Sequence, residues 1–135
     1  MTAVPAGFEL DVGTDPAEDH IGPFYLRRDA TCFAAGLRVA ARHCNSLETV
    51  HGGVLMTMAD YALCAQARYG TEDTNIVTVS LHTEFVAGTG IGSWLHSEGE
   101  VVRRTGSLVF VQGCLKCENV VLLTYSGVGK RWQAK

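Results

Sequence analysis

The sequence is short of several things, and each shortage narrows the field. No apolar run approaches the ~18 residues that would mark a membrane span, so none is expected. The N-terminus, Met-Thr-Ala-Val-Pro-Ala-Gly-Phe-Glu-Leu-Asp, has neither a basic stretch nor an apolar one after it, so no signal peptide is expected. Lys and Arg number 11 against 14 Asp and Glu, which leaves no basic footprint for nucleic acid. Charged residues make up only 19% of the chain and hydrophobic ones 47%, a globular balance rather than a disordered one. Repeats, low-complexity tracts and linkers are all missing, so the 135 residues read as one domain. The five cysteines (32, 44, 64, 114, 117) are odd in number. Without an export signal they are expected as free thiols in a reducing, cytoplasmic setting.

What charge there is falls unevenly. Residues 1–20 hold five acids (Glu9, Asp11, Asp15, Glu18, Asp19) and no Lys or Arg, so the remainder is slightly basic. This acidic stretch reads as a surface segment, with one helical turn begun by Asp15-Pro16, ahead of a single domain over 21–135. Phe24–Arg27 and Thr31–Ala41 read as a hairpin joined at Arg28-Asp29-Ala30. Residues 52–69 carry Leu55, Met58, Ala59, Ala62, Gln66 and Tyr69 on one helical stripe, and Gly70 suits the residue after the helix. Four strands follow: Asn75–Phe85, Ser93–Arg104, Ser107–Cys117 and Val120–Val128. In the first, Val77, Val79, Leu81 and Phe85 alternate with polar residues. The turns are Gly88–Gly92, Thr105-Gly106 and Glu118-Asn119. The order β-β-α-β-β-β-β predicts an α+β fold, one long helix packed on an antiparallel meander.

That helix is itself poor in charge. From His51 to Ala67 the only formal charge is Asp60, and its neighbours three and four residues away (Met56, Thr57, Leu63, Cys64) offer it no salt bridge. A surface helix carries charge on its outer face. This one is therefore expected to be buried all round, by the sheet on one side and by another body on the other, a second subunit being the simplest. A carboxylate in such a place is costly unless solvated, hydrogen-bonded or protonated. It is either an Asp at a water pocket or bonding a backbone group, or a general base or nucleophile in a shielded cleft. Directly before the helix stands His51-Gly52-Gly53. Missing Cβ atoms there let a ligand oxygen approach the first helix amides, at the positive end of the dipole. For acyl transfer that is an oxyanion site. Asn45, six residues earlier, can add a side-chain donor.

Asn45, His51-Gly52-Gly53 and Asp60, with Val77-Thr78-Val79 and Arg103-Arg104-Thr105-Gly106-Ser107 further on, resemble the hotdog-fold acyl-CoA thioesterases of the phenylacetate-degradation (PaaI-like) type. The similarity runs over roughly residues 20–131. It implies a long helix wrapped by a curved antiparallel sheet, subunits paired edge to edge as a homodimer or homotetramer, and an active site between subunits. It implies hydrolysis of an acyl-CoA to a free acid and CoA, without a metal or other cofactor. Asp60 would be the base or the nucleophile. Gly52 N–H and Asn45 would polarise the thioester carbonyl, and Thr78 would help position water. His51 and Gly53 would shape the substrate loop, and Arg103, Arg104, Gly106 and Ser107 would lie near the CoA phosphates or pantetheine. One position departs from the pattern: Glu48 stands where the family commonly has glycine. If it faces the pocket it disfavours anionic acyl groups; if it faces solvent it is a loop residue.

Other readings weigh less. A non-catalytic acyl-CoA binding domain would keep the pocket but has no need of Asp60. A dehydratase on the same fold needs a His beside a carboxylate, and the helix has none near Asp60. Cys114-Leu115-Lys116-Cys117 lacks a second ligand pair for zinc. Cys64, one turn after Asp60, reads as a packing residue, since no activating base is apparent.

Overall fold

The computed structural model describes residues 3–29, 33–73 and 75–132. Seven strands form one antiparallel sheet: β1 (Phe8–Asp11), β2 (Phe24–Arg28), β3 (Phe33–Arg38), β4 (Ile76–Phe85), β5 (Trp94–Arg104), β6 (Leu108–Cys117) and β7 (Val120–Arg131). Two helices accompany them, α1 (Pro16–Ile21) and α2 (Gly52–Arg68), with a 3-10 turn at Ala41–His43. The strand order is β1-β2-β3-β5-β6-β7-β4. The α+β architecture expected from the sequence is present, a sheet curved around one long helix.

The core explains why α2 forms where it does. Leu55, Met58, Ala59, Ala62 and Leu63 face Leu37, Leu95, Val109, Val111, Leu115 and Leu123, all at most 4% exposed. Each such Leu or Val contributes about 1.5–3 kcal/mol by leaving water. His51 caps the helix, its ring nitrogen accepting from Gly53 N–H at 2.8 Å. Gly70, with φ +76°, follows the last turn as the sequence predicts.

Four expectations need correcting. First, the N-terminal stretch is not all loose surface. Phe8–Asp11 pairs with β2 (Leu10 opposite Tyr25). The helical turn begun by Asp15-Pro16 is present as expected, Asp15 accepting from Glu18 N–H at 3.0 Å. The strand was missed because its Leu10 is exposed and its alternation is short.

Second, the meander is only β5-β6-β7. β4 pairs with β7 alone, at the far edge, while β5 pairs with β3. After crossing the sheet along α2 the chain emerges beyond β7, and sequence order alone does not show that crossover.

Third, β4 does not keep one alternation. A bulge between Thr78 and Ser80 shifts its register, so Thr78 and Leu81 both turn inward while Val77 and Val79 face out, 52% and 60% exposed.

Within this one chain α2 is covered on part of its circumference. Nine of its 17 residues are buried, some beneath the chain's own N-terminal elements: Tyr61 stacks on Phe24 at 4.8 Å and donates to Asp11 Oδ2 at 2.7 Å. The stripe Gly53, Met56, Asp60, Cys64 stays partly open.

Fourth, the second predicted strand ends early, at Arg38, before the 3-10 turn at Ala41. Its predicted start at Thr31 and Cys32, and Ala30 of the turn before it, lie outside the described residues. The hairpin itself is present, Tyr25 opposite Gly36.

Candidate active site

Asp60 sits half-buried on the open stripe of α2, and its partner comes from the sheet. The Thr78 hydroxyl donates to Asp60 Oδ1 at 2.5 Å. The β4 bulge makes this possible, because it lets Thr78 and Leu81 share the inward face. The hydrogen bond replaces the salt bridge that the helix cannot supply. Thr78 Oγ1 also lies 3.2 Å from Cys64 Sγ. Burial, foremost, pushes the Cys64 thiol up to about 11, so it keeps its proton at neutral pH.

A further carboxyl reaches this stripe from α1. Glu18 is pushed up to about 7 by burial first, then by the negative charges of Asp15, Asp60 and Asp11, with Arg68 pulling the other way. Sequence reasoning missed Glu18 as a neighbour of Asp60. The two stand 42 residues apart in a chain whose N-terminus read as surface, and no local pattern joins them.

The helix amide that the resemblance assigns to carbonyl polarisation lies at the other end of the stripe. Among the described residues, nothing accepts from the Gly52 amide, whereas Gly53 N–H is taken by His51 Nδ1. Gly52 therefore presents the one unspent N–H of the pair, and the Gly53 amide is committed to the cap. A Cβ on Gly52 would meet the Phe85 ring at 3.1 Å, so the missing side chain is what lets Phe85 wall the amide.

Asn45 organises the loop before it. Its Oδ1 accepts from Leu47 N–H at 2.9 Å, Thr49 N–H at 3.2 Å and Thr49 Oγ1 at 3.1 Å. With the oxygen fixed by backbone donors, its NH₂ group is the end left to donate outward. Glu48 holds φ +63°, the left-handed conformation that suits glycine, and its side chain is exposed.

These groups do not meet within one chain. Asp60 follows Gly52 by eight residues, so the two lie about 12 Å apart along the helix axis at about 1.5 Å per residue. One carbonyl cannot touch both in the same copy. The Arg103–Ser107 turn is farther still from Gly52, since Arg104 lies against the opposite end of α2. Its guanidinium donates to Ala67 O at 2.7 Å and Tyr69 O at 3.5 Å, which ties it to the helix C-terminus. Arg103, Gly106 and Ser107 are exposed beside it.

His43, which the sequence gave no reason to single out, is buried and structural. It accepts from Ala40 N–H at 2.8 Å and donates Nε2–H to Gly22 O at 2.7 Å. Cys117 packs on the core while Cys114 lines an outer groove with Glu98. Among the described residues no cluster of three or more His, Cys, Asp or Glu is placed to hold a metal ion, and no helix is long and apolar enough to cross a membrane.

The pattern of Gly52, Asp60 and Thr78 falls within residues 47–124, which match the family model for the thioesterase superfamily. The chain belongs to that superfamily. A "Putative esterase" of Pseudomonas aeruginosa is 32% identical over 130 residues, covering 95% of this chain and 97% of that protein. Among solved structures, the PaaI protein from the phenylacetic acid degradation operon of E. coli superposes with a TM-score of 0.78 at 15% identity, over 90% of this chain and 88% of that one. Zebrafish thioesterase superfamily member 2 gives 0.76 at 18% identity, over 88% and 89%. At these identities the likeness is one of fold. This thioesterase-superfamily chain is a hotdog, with α2 wrapped by the seven-stranded sheet.

Proposed function

We propose that the protein is an acyl-CoA thioesterase whose active site is built by two copies of the chain. The observation that carries this reading is the spacing on α2: a bonded carboxylate, Asp60, and an unspent helix amide, Gly52, face the same open stripe too far apart to serve one carbonyl within one chain. In a two-fold pair with the helices side by side, Gly52 of one copy meets Asp60 of the other. The edge of β4 supports such a pairing, being the last strand of the sheet, with Val77 and Val79 exposed.

In this arrangement the thioester carbonyl oxygen accepts from Gly52 N–H at the positive end of α2, with Asn45 NH₂ as a second donor. Phe85 shields the amide from water. Asp60 of the other copy, held by Thr78, activates water or attacks the carbonyl carbon itself. The tetrahedral oxyanion is stabilised at Gly52, and collapse expels the CoA thiolate, leaving the free acid when water attacks, or an acyl anhydride on Asp60 that water then hydrolyses when Asp60 attacks. Arg103 is the cation of its turn left free for the CoA phosphates. The chain's own residues supply each step, so no cofactor is needed.

The experiment is a panel of acyl-CoA esters with detection of the released thiol, on the wild type and D60N. Hydrolysis by the wild type, lost in a folded D60N protein, supports the reading. Hydrolysis at the same rate by both contradicts it.

A further inference from the structure

The hydrolytic pair has a third member that this mechanism leaves unused. Cys64 follows Asp60 by one helical turn, and its sulfur reaches the same Thr78 oxygen that serves Asp60, at 3.2 Å. The direction of both hydrogen bonds follows from what each group can do. Thr78 Oγ1 donates to Asp60 Oδ1, and a hydroxyl has a single proton to give. The Thr78 oxygen then has only lone pairs to offer, and the sulfur beside it must be the donor. We propose that Cys64 is a positioning residue of the hydrolytic site, its S–H holding the Thr78 hydroxyl in the orientation that donates to Asp60. This rests on the reading of Asp60 and Thr78 as the hydrolytic pair.

The surroundings agree. The thiol is half-buried, and burial keeps it protonated, as a donor must be. It is not poised as a nucleophile, because a protonated thiol that donates to a hydroxyl has no base to take its proton. A side chain needed only to fill space would leave the Thr78 hydroxyl proton free to rotate about the Cβ–Oγ bond and to turn away from the carboxylate. With Cys64 on one lone pair and the proton committed to Asp60, the second lone pair of Thr78 Oγ1 is left for a proton of the incoming water. Water is then fixed between Thr78 and the free Asp60 oxygen.

Two measurements test this. In steady-state hydrolysis, C64A lowers kcat roughly 3- to 10-fold, the rate equivalent of one neutral hydrogen bond, with KM within about twofold. C64S, which keeps a donor at that place, restores most of the loss. Separately, the infrared difference between wild type and C64S isolates the Cys64 S–H stretch. In a bonded thiol that band lies below the unbonded position, and it moves up when T78V removes the acceptor. A kcat for C64A equal to that of the wild type, a C64S protein as slow as C64A, or a band indifferent to T78V overturns the proposal. A wild type that hydrolyses no thioester removes the function and the proposal with it, and the infrared band then still reports whether the bond exists.

Discussion

Thr78 Oγ1 lies 2.5 Å from Asp60 Oδ1 and donates to it, joining an edge strand to the middle of an apolar helix. The bond stabilises a charge that has no ionic partner on its own helix. It also ties the geometry of the site to the β4 bulge, which turns Thr78 inward. T78V leaves the carboxylate without its donor and should lower kcat about 10- to 100-fold, the worth of a hydrogen bond to a charged group. T78S keeps the donor and should stay within a few-fold of wild type. Equal rates for all three proteins would show that the bond has no part in turnover.

Glu18 gives the fold a pH dependence. Its carboxyl is pushed up from 4.5 to about 7, burial first and neighbouring acids second. Between those values the folded state holds a proton that the unfolded chain has lost. The stabilisation is whole below pH 4.5 and is lost as pH rises through about 7. E18Q, which never ionises, should therefore gain on the wild type as pH rises over this window. Thermal melts at pH 5 and pH 8 measure it; a Tm difference that does not grow with pH would contradict the environment assigned to Glu18.

Arg104 and Arg103 should separate cleanly. Arg104 binds the carbonyls of Ala67 and Tyr69, so R104A should cost about 1–3 kcal/mol of stability with KM little changed. Arg103 is exposed, and R103A should raise KM for the CoA ester while leaving the melting temperature in place. Denaturant titration beside steady-state kinetics on both variants decides. The reverse pattern would return Arg104 to the phosphate site.

Glu48 occupies a backbone conformation that costs a side-chain-bearing residue about 1–2 kcal/mol. E48G should raise Tm by several degrees. Its carboxylate is exposed in the single chain, so E48Q should leave the ratio of succinyl-CoA to butyryl-CoA hydrolysis unchanged. A several-fold rise in that ratio would place the carboxylate at the acyl group.

Much of this could be read in the sequence because it is local. The apolar stripe of α2, its glycine start and Gly70 end, and the strands after it all follow from spacing a few residues long. So does the oddity of Asp60, since an unmatched charge is visible against an apolar helix. What could not be read is what the fold brings together from afar. β4 looked like the first strand of a meander because nothing in its residues announces the crossover to β7. Its bulge hid the fact that Thr78 and Leu81 share a face. The hold of Arg104 on the helix end was hidden because its acceptors, Ala67 and Tyr69, are carbonyls, which leave no mark in a side-chain pattern. The electrostatic coupling of Glu18 to Asp60 spans 42 residues and is set by how α1 docks on α2.

The central claim is that one carbonyl is gripped by Gly52 of one copy and attacked through Asp60 of another. Two variants disable the halves separately. D60N removes the base. G52P removes the amide proton at the first helical position, which tolerates proline; His51 before it already holds φ −62°, ψ 135°, a conformation proline accepts, and the added Cβ, 3.1 Å from the Phe85 ring, requires that ring to shift by a few tenths of an ångström. Each variant alone should lose about 10²-fold or more in kcat. The two, unfolded and refolded together in equal amounts, should regain about a quarter of wild-type activity, because half of randomly paired dimers then carry one intact site of two. A mixture no more active than the mean of its components, with mixed dimers shown to have formed, would contradict a site shared between copies.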